Sequence, residues 1–279
     1  MQVTDIAQAR DYDAGEIRSG KLDSKLLLQG REGAPNNYRV ALTTAETDWA
    51  APRHRHNFDQ IRFPVSGDWH FGEGRTLHEG WVGYFPEGVH YGPQLRTPGL
   101  KMLVVQFGGA SGSGFIGRDR RRAGFDELSA KGSFENGAFT YVDGKGQRHN
   151  KDGYEAVWEH LMGRRLEYPK PRFDNQILMN PATHDWIADE THPGIAHKVM
   201  GKFTERAIGV GFLRIEAGAV FDGGLHDAPE FLFQVSGKVS ADGGMYTRFA
   251  AFGFEPNEGA RAIEALETSE FLRVQFAKF

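Results

Sequence analysis

His54 and His56 stand two residues apart, Gln60 follows four positions later, and His90 comes directly after the Pro86-Glu87-Gly88-Val89 stretch. Neutral imidazoles are the commonest protein ligands for Fe, Zn, Ni and Cu, and a facial set of them leaves coordination positions open. In a strand, residues i and i+2 share a face, so His54 and His56 project together. A turn or the next strand brings Gln60 onto the same centre, where its carbonyl oxygen either ligates a metal or bonds a metal-bound water. The Pro-x-Gly turn reverses the chain and returns His90, so the set converges if the intervening segment folds back as a β-hairpin. Alternation from Gln60 also turns Arg62 inward, where a guanidinium anchors a carboxylate or enolate, and Gln94 is placed to do likewise beyond His90. His70, His78, His149, His184, His192 and His197 lack such spacing and read as structural or exposed.

The elements that must position these residues are short strands. Apolar runs at 25–28, 38–43, 60–65, 81–85 and 101–107 are separated by glycine-rich turns, the rhythm of an antiparallel barrel or sandwich. Residues 109–150 change character, with Gly, Ser and charge replacing strand signals, and read as a long ordered excursion. Arg118, Arg120, Arg121 and Arg122, broken by Asp119, read there as a solvated loop. The spacing of Tyr154, Val157, Trp158, Leu161 and Met162 predicts a helix over 152–164 with one apolar stripe and a structural role. Strand signals return at 176–179, 195–200, 208–215, 231–235 and 271–276.

The second half repeats the first. At an offset of 170, Phe63 aligns with Phe233, Val65-Ser66-Gly67 with Val235-Ser236-Gly237, and Pro86 with Pro256, while Val-Gln-Phe closes both halves at 105–107 and 274–276. The chemistry is not repeated. His56 and Gln60 align with His226 and Glu230, but Gly224 stands where His54 does, and Ala260 or Arg261 where His90 does. Two ligands hold a metal poorly, so the second copy is expected to carry none and to be structural or a metal-free binding pocket.

In these residues and their spacing the chain resembles the cupin superfamily. The first motif runs His54-x-His56-x3-Gln60-x6-Gly67 and the second Gly80-x5-Pro86-x-Gly88-x-His90. The family usually has glutamate where Gln60 stands, and two residues between Gly and His where this chain has Val89 alone. The resemblance implies an all-β bicupin of two tandem jelly-roll barrels. Residues 1–108 form the metal-binding barrel, 109–171 the inter-barrel segment with the helix, and 172–279 a barrel with a degenerate motif. The implied metal ligands are His54, His56, Gln60 and His90, with Arg62 and Gln94 toward substrate and no further catalytic residue needed.

Composition fits this frame. The chain has 279 residues, 39% of them hydrophobic and 25% charged, enough for two domains with cores of their own. A net charge of −4 without single-sign blocks gives no nucleic-acid or anionic-membrane surface. The absence of cysteine removes disulfides, thiolate metal sites and thiol nucleophiles together. The acidic, apolar-poor beginning does not read as a signal peptide, and no run suits a membrane span, so a cytoplasmic protein is expected, monomeric or homodimeric.

Three neutral histidines and an amide would leave a metal its full positive charge, favouring an anionic chelating substrate such as an enolised diketone, keto acid or catechol-like compound. Cupin dioxygenases with neutral histidine ligands use such compounds, and the resemblance implies the same here: one divalent ion, Fe(II) favoured, and cleavage of a C–C bond by dioxygen. Imidazole suits Zn, Mn and Ni too, so a non-oxidative isomerase, lyase or hydrolase is the second reading. A non-catalytic small-molecule-binding bicupin is the third.

Overall fold

Residues 1–12, 20–113 and 115–279 are described by a computed structural model of the chain. They fall into two compact units, one of residues 11–24 and 29–178, the other of residues 1–10, 25–28 and 179–279. Each unit is built on two antiparallel sheets, as the sequence predicts. Among the described residues, no helix is long and apolar enough to cross a membrane.

In the first unit, one sheet has at its centre the strands Val82–Phe85, Asp59–Ser66, Lys101–Phe107 and Tyr38–Ala45, in that order. The opposing sheet is made of much shorter strands, Trp49–Ala51, Gln94–Arg96, Trp69–Gly72 and Arg75–Leu77. Between the sheets, Trp69, Phe71, Leu77, Phe85, Leu100, Met102 and Val104 form a closed apolar core. The strand period of two decides which side chains enter the barrel. On Lys101–Phe107, Met102 and Val104 enter with Gln106; on Asp59–Ser66, Gln60 and Arg62 do; on Tyr38–Ala45, Arg39 and Thr43 do. The barrel therefore has an apolar floor and a polar end, both set by the same alternation.

The excursion after residue 108 has more structure than its composition predicts. Arg118–Ser129 is an α-helix, α1, rather than a solvated loop, and Ser133–Glu135, Ala138–Val142 and Arg148–Asp152 make a three-stranded sheet. Only Gly124 and Leu128 of α1 are buried, so the helix presents little apolar periodicity to read. Its register on the next helix is set by close approach: a Cβ at Gly124 would lie 2.8 Å from the side chain of Leu161. The second helix, α2, spans Gly153–Met162 as predicted. The Asp152 carboxylate accepts from the backbone N–H groups of Tyr154 and Glu155 at 2.9 and 3.1 Å, and Gly163 ends the helix in the left-handed conformation.

The second unit repeats the strand order. Ala251–Phe254, Glu230–Ser236, Ser269–Gln275, Ile208–Ile215 and Ile195–Phe203 form its larger sheet, opposed by Val220–Gly223, Arg261–Ala265, Val239–Ala241 and Gly244–Tyr246. Registers match as well: Gln60 lies between Phe85 and Gln106, and Glu230 between Phe254 and Gln275. The sequence repeat is thus a repeat of cross-strand rows.

Candidate functional site

The segment Pro52–Phe58 carries the two histidines to the polar end of the first barrel. His54 exchanges backbone hydrogen bonds with Tyr91 at 3.0 and 2.9 Å, an isolated antiparallel bridge that fixes this segment against the Pro86–Tyr91 turn. The rings of His54 and His56 are buried and meet edge to face, centroids 4.9 Å apart. His54 Nδ1 lies 2.7 Å from the carbonyl oxygen of Pro52. A carbonyl only accepts, so Nδ1 carries the proton and Nε2 is the basic nitrogen of the neutral ring. A partner of this kind fixes the orientation of metal-binding histidines in general. His56 stacks on Phe58 at 4.4 Å and meets the edge of Tyr154 at 5.3 Å.

Tyr154 comes from the first turn of α2 and bonds Asn57 at 2.9 Å. It lines the same cavity, so the helix read as structural contributes a site residue. Arg121 of α1, from the cluster read as a solvated loop, lines it too.

His90 does not join the others. It is exposed and lines a separate groove of about 350 Å³ with Arg53, Arg75 and Asp174. Tyr91 faces the cavity in its place, its ring centroid 4.6 Å from His54 and 6.0 Å from His56. The reason lies in the bridge: residues paired across it share a face, so His54 brings Tyr91 in and His90, one residue earlier, is turned out. Because Val89 alone separates Gly88 from His90, the residue three after the glycine is Tyr91. Among the described residues, no three His, Cys, Asp or Glu side chains gather as a metal-holding group.

Gln60 sits behind the cavity wall as a hub. Its carbonyl oxygen accepts from Arg62 and, at 3.1 Å, from Gln106, while its amide donates to the Tyr91 hydroxyl at 3.2 Å. Gln106 in turn accepts from Arg39 at 2.7 Å. Arg39, Gln106 and Gln60 are cross-strand neighbours in register, which is why the chain of bonds runs straight across the sheet. With both lone pairs of the Gln60 carbonyl engaged, its role here is to orient Arg62 and Tyr91.

Arg62 and Gln94 do face inward, and they have company. The cavity, about 110 Å³, is also lined by Arg39, Arg96, Thr43 and Gln106, with neither Asp nor Glu among the described residues that line it. Arg39, Arg62 and Arg96 are each at least 94% buried, since their exposures are 6%, 4% and 5%. Arg96 donates to Thr43 at 3.1 Å and lies over Trp49 at 4.6 Å. Arg62 and Arg96 stand 5.4 and 5.8 Å from the Trp69 ring centre. Among the described residues, the Nε atoms of all three arginines and the carbonyl oxygen of Gln94 find no hydrogen-bond partner. Burial first, then the neighbouring guanidiniums, lower Arg96 to about 9, and burial lowers Arg39 to about 10, so both stay charged at neutral pH. Tyr12 reports the same field. Its burial alone would raise the phenol, yet Arg121, Arg39 and Arg118 hold it below its ordinary value.

Alternation could have revealed Arg39, Gln106 and Arg96, each two residues from another inward-facing position, but the runs at 38–43 and 101–107 read as simply apolar. Gln94–Arg96 is too short to show a period.

On the opposite face from Gln60, Asp59 secures the Pro86–Tyr91 turn. It accepts from the Glu87 N–H at 2.7 Å and from Tyr84 at 3.0 Å, while Glu87 accepts from Arg172 at 2.7 Å. Burial first, then the Glu87 charge, push the Asp59 carboxyl up to about 7. The folded state therefore holds one more proton than the unfolded chain between its ordinary value near 4 and about 7. Stability is then expected to fall as pH rises through that window, by about 1.4 kcal/mol per unit where Asp59 is the only such group. Urea melts of Asp59→Asn across pH 4 to 7 are expected to lose this slope; an unchanged slope would rule it out.

Gly88 is the other element of that turn. Its φ is +78°, its N–H donates to the His56 carbonyl at 2.8 Å, and a Cβ there would lie 2.5 Å from the Pro169 carbonyl oxygen. Gly88→Ala is expected to destabilise by about 2 kcal/mol or more, combining left-handed strain with a backbone clash. Gly80, at φ +77° with nothing near its Cβ position, isolates the strain alone. Equal melting points for Gly88→Ala and Gly80→Ala would exclude the clash.

The second barrel is different at the equivalent row. Glu230 is buried there, and Arg273 donates both to it and to His226. A guanidinium thus occupies the two surviving members of the ligand pattern, leaving Leu232 where the first barrel has Arg62.

Neither a family model nor any curated protein sequence matches the chain. Solved structures do. A candidate dioxygenase from Nostoc punctiforme superposes with a TM-score of 0.63 at 12% identity, covering 99% of this chain and 82% of that one. A mutant oxalate decarboxylase from Bacillus subtilis gives 0.53 at 14% identity, covering 99% and 76%. A bacterial pirin from Escherichia coli in complex with nickel(II) gives 0.55 at 9% identity, covering 100% and 99%. At these identities the likeness is one of fold: two tandem cupin barrels with a helix-containing segment, all-β in class.

Proposed function

We propose that the first barrel is the working site of a metal-dependent enzyme acting on a small, anionic, oxygen-rich organic compound. The observation that carries this reading is that the His54–His56 pair shares one buried cavity with Arg62 and Gln94. The two imidazoles fit a divalent cation, His54 being oriented by the Pro52 carbonyl. The other inward donor beside them, Tyr91, offers a hydroxyl, and among the described residues no carboxylate lines the cavity. Negative charge must therefore arrive with the ligand, so the fit is to a cation completed by a chelating acid. Fe(II) is the favoured ion, with Zn, Mn and Ni as the others that imidazole suits.

When bound, the metal would act as a Lewis acid and bind dioxygen, giving a dioxygenase that cleaves a diketone, keto acid or catechol-like substrate. The chain's own residues hold and orient. Arg62, steadied by Gln60, anchors a carboxylate or enolate. Gln94 offers an unpartnered carbonyl to a substrate donor. The Tyr91 hydroxyl accepts from Gln60, so its own proton is directed elsewhere and stands ready for a substrate oxygen. Phe58 and Tyr154 pack against His56 and shield it.

Elemental analysis of protein from metal-supplemented cells tests the site, against the His54→Ala/His56→Ala double variant. One ion per chain, lost in the variant, supports the reading, and oxygen uptake with a chelating substrate supports the dioxygenase. Turnover that persists without oxygen would assign the non-oxidative reaction instead. Protein that binds no metal with any candidate acid present would leave a binding protein, a reading favoured by the lack of a third clustered ligand among the described residues.

A further inference from the structure

We infer that Arg39, Arg62 and Arg96 together form a receptor for a small dianion, either two carboxylates on a short chain or a single phosphoryl group. The inference rests on the reading just proposed only for the location of the site, and it deepens that reading by giving the ligand's charge. A guanidinium is costly to take out of water unless a counter-charge or full hydrogen bonding goes with it. Here three are buried in one cavity, and among the described residues their side-chain partners are amides, a hydroxyl and phenols: Gln106 and Tyr12 for Arg39, Gln60 and Tyr91 for Arg62, and Thr43 for Arg96. Among the described residues no Asp or Glu lines the cavity, and each arginine keeps an Nε donor without a partner.

A purely structural role does not account for this arrangement. A structural buried arginine is normally paired with a carboxylate, and in the second barrel even the partly exposed Arg273 is paired with Glu230. Nor is the arrangement loose. Trp49 and Trp69 stack against Arg96, Trp69 also against Arg62, and the row from Arg39 through Gln106 to Gln60 is locked in sheet register. Preorganised donors without an anion are what a receptor needs before its ligand arrives. Several positive charges facing one space also discriminate by ligand charge, so a monoanion leaves most of the repulsion among the guanidiniums uncompensated. The cavity of about 110 Å³ is of a size to take a small ligand such as malonate or phosphate.

The test uses the full chain after chelator treatment, titrated calorimetrically at fixed ionic strength with malonate, inorganic phosphate and acetate. One dianion is expected per chain, bound at least tenfold more tightly than acetate. A preference for malonate would identify a dicarboxylate and a preference for phosphate a phosphoryl group, and either supports the receptor. Arg96→Met is expected to weaken dianion binding at least tenfold without lowering the melting temperature of the ligand-free protein, because it removes an uncompensated buried charge. If that variant does not fold, Arg62→Met carries the same comparison. The inference is overturned if neither dianion outbinds acetate, or if both arginine variants bind as the native chain does. Metal content is read separately, on protein from metal-supplemented cells with malonate present: metal held there by a chain that binds no dianion after chelator treatment would sink the receptor alone, and no metal taken up beside a bound dianion would sink the metal reading alone.

Discussion

Gln60→Glu is expected to weaken malonate or phosphate binding about a hundredfold and to let the protein keep a divalent metal without any added acid. The carbonyl of Gln60 already accepts from Arg62 and Gln106, so a carboxylate there would pair with Arg62 from inside the wall. One added negative charge about 5 Å from a guanidinium is worth about 3 kcal/mol at an effective dielectric near 20, or roughly two decades of affinity. From behind the wall the same charge would also lower the net positive field at a cation beside His54 and His56, part of what the ligand otherwise brings. The second barrel contains the natural precedent. Glu230 occupies the same place in the cross-strand register, and it has captured Arg273. Calorimetry with malonate and metal analysis after dialysis, each on native and variant chains, check the two halves. A variant that binds malonate as tightly as the native chain would show that Gln60 is not in electrostatic contact with the anion.

Period-two alternation carried much of the site into view from the sequence. It puts His54 beside His56 and turns Arg62 in behind Gln60, and the 170-residue repeat implies the two barrels. What it lost, it lost for identifiable reasons. Arg39 and Gln106 lie in strands whose overall apolar character hid single polar residues at inward positions. Arg96 belongs to a three-residue strand of the opposing sheet, where no period can be recognised. Tyr154 and Arg121 reach the cavity from helices of the excursion, a tertiary relation that local pattern does not encode. Arg121 was further obscured because a helix with four arginines and two buried residues reads as solvated. His90 was a matter of register. A displacement of one residue sends a side chain to the other face, and the short Gly88–His90 spacing produced that displacement.

That register difference leads to the second large effect. Tyr91→His is expected to raise affinity for Zn(II) or Fe(II) at least tenfold, about 1.4 kcal/mol, and to make retention insensitive to added dianion. His90→Ala is expected to leave metal content unchanged. Tyr91 is the bridge partner of His54, with its ring against both histidines, so an imidazole at that position joins them as a third nitrogen ligand. Three protein nitrogens hold a cation that two do not, and the anion's contribution then becomes dispensable. The exchange has a cost. Losing the phenol deprives the Gln60 amide of its acceptor, and an unsatisfied buried donor costs about 1–3 kcal/mol. The metal-free variant is therefore expected to melt below the native chain, and the metal-loaded one to regain the difference through linkage. Competition titrations against a chromophoric chelator, with melting curves on the same samples, read both effects. If His90→Ala released the metal while Tyr91→His gained none, the side chain that faces the cavity would be His90, and the bridge between His54 and Tyr91 would have to be shifted by one residue.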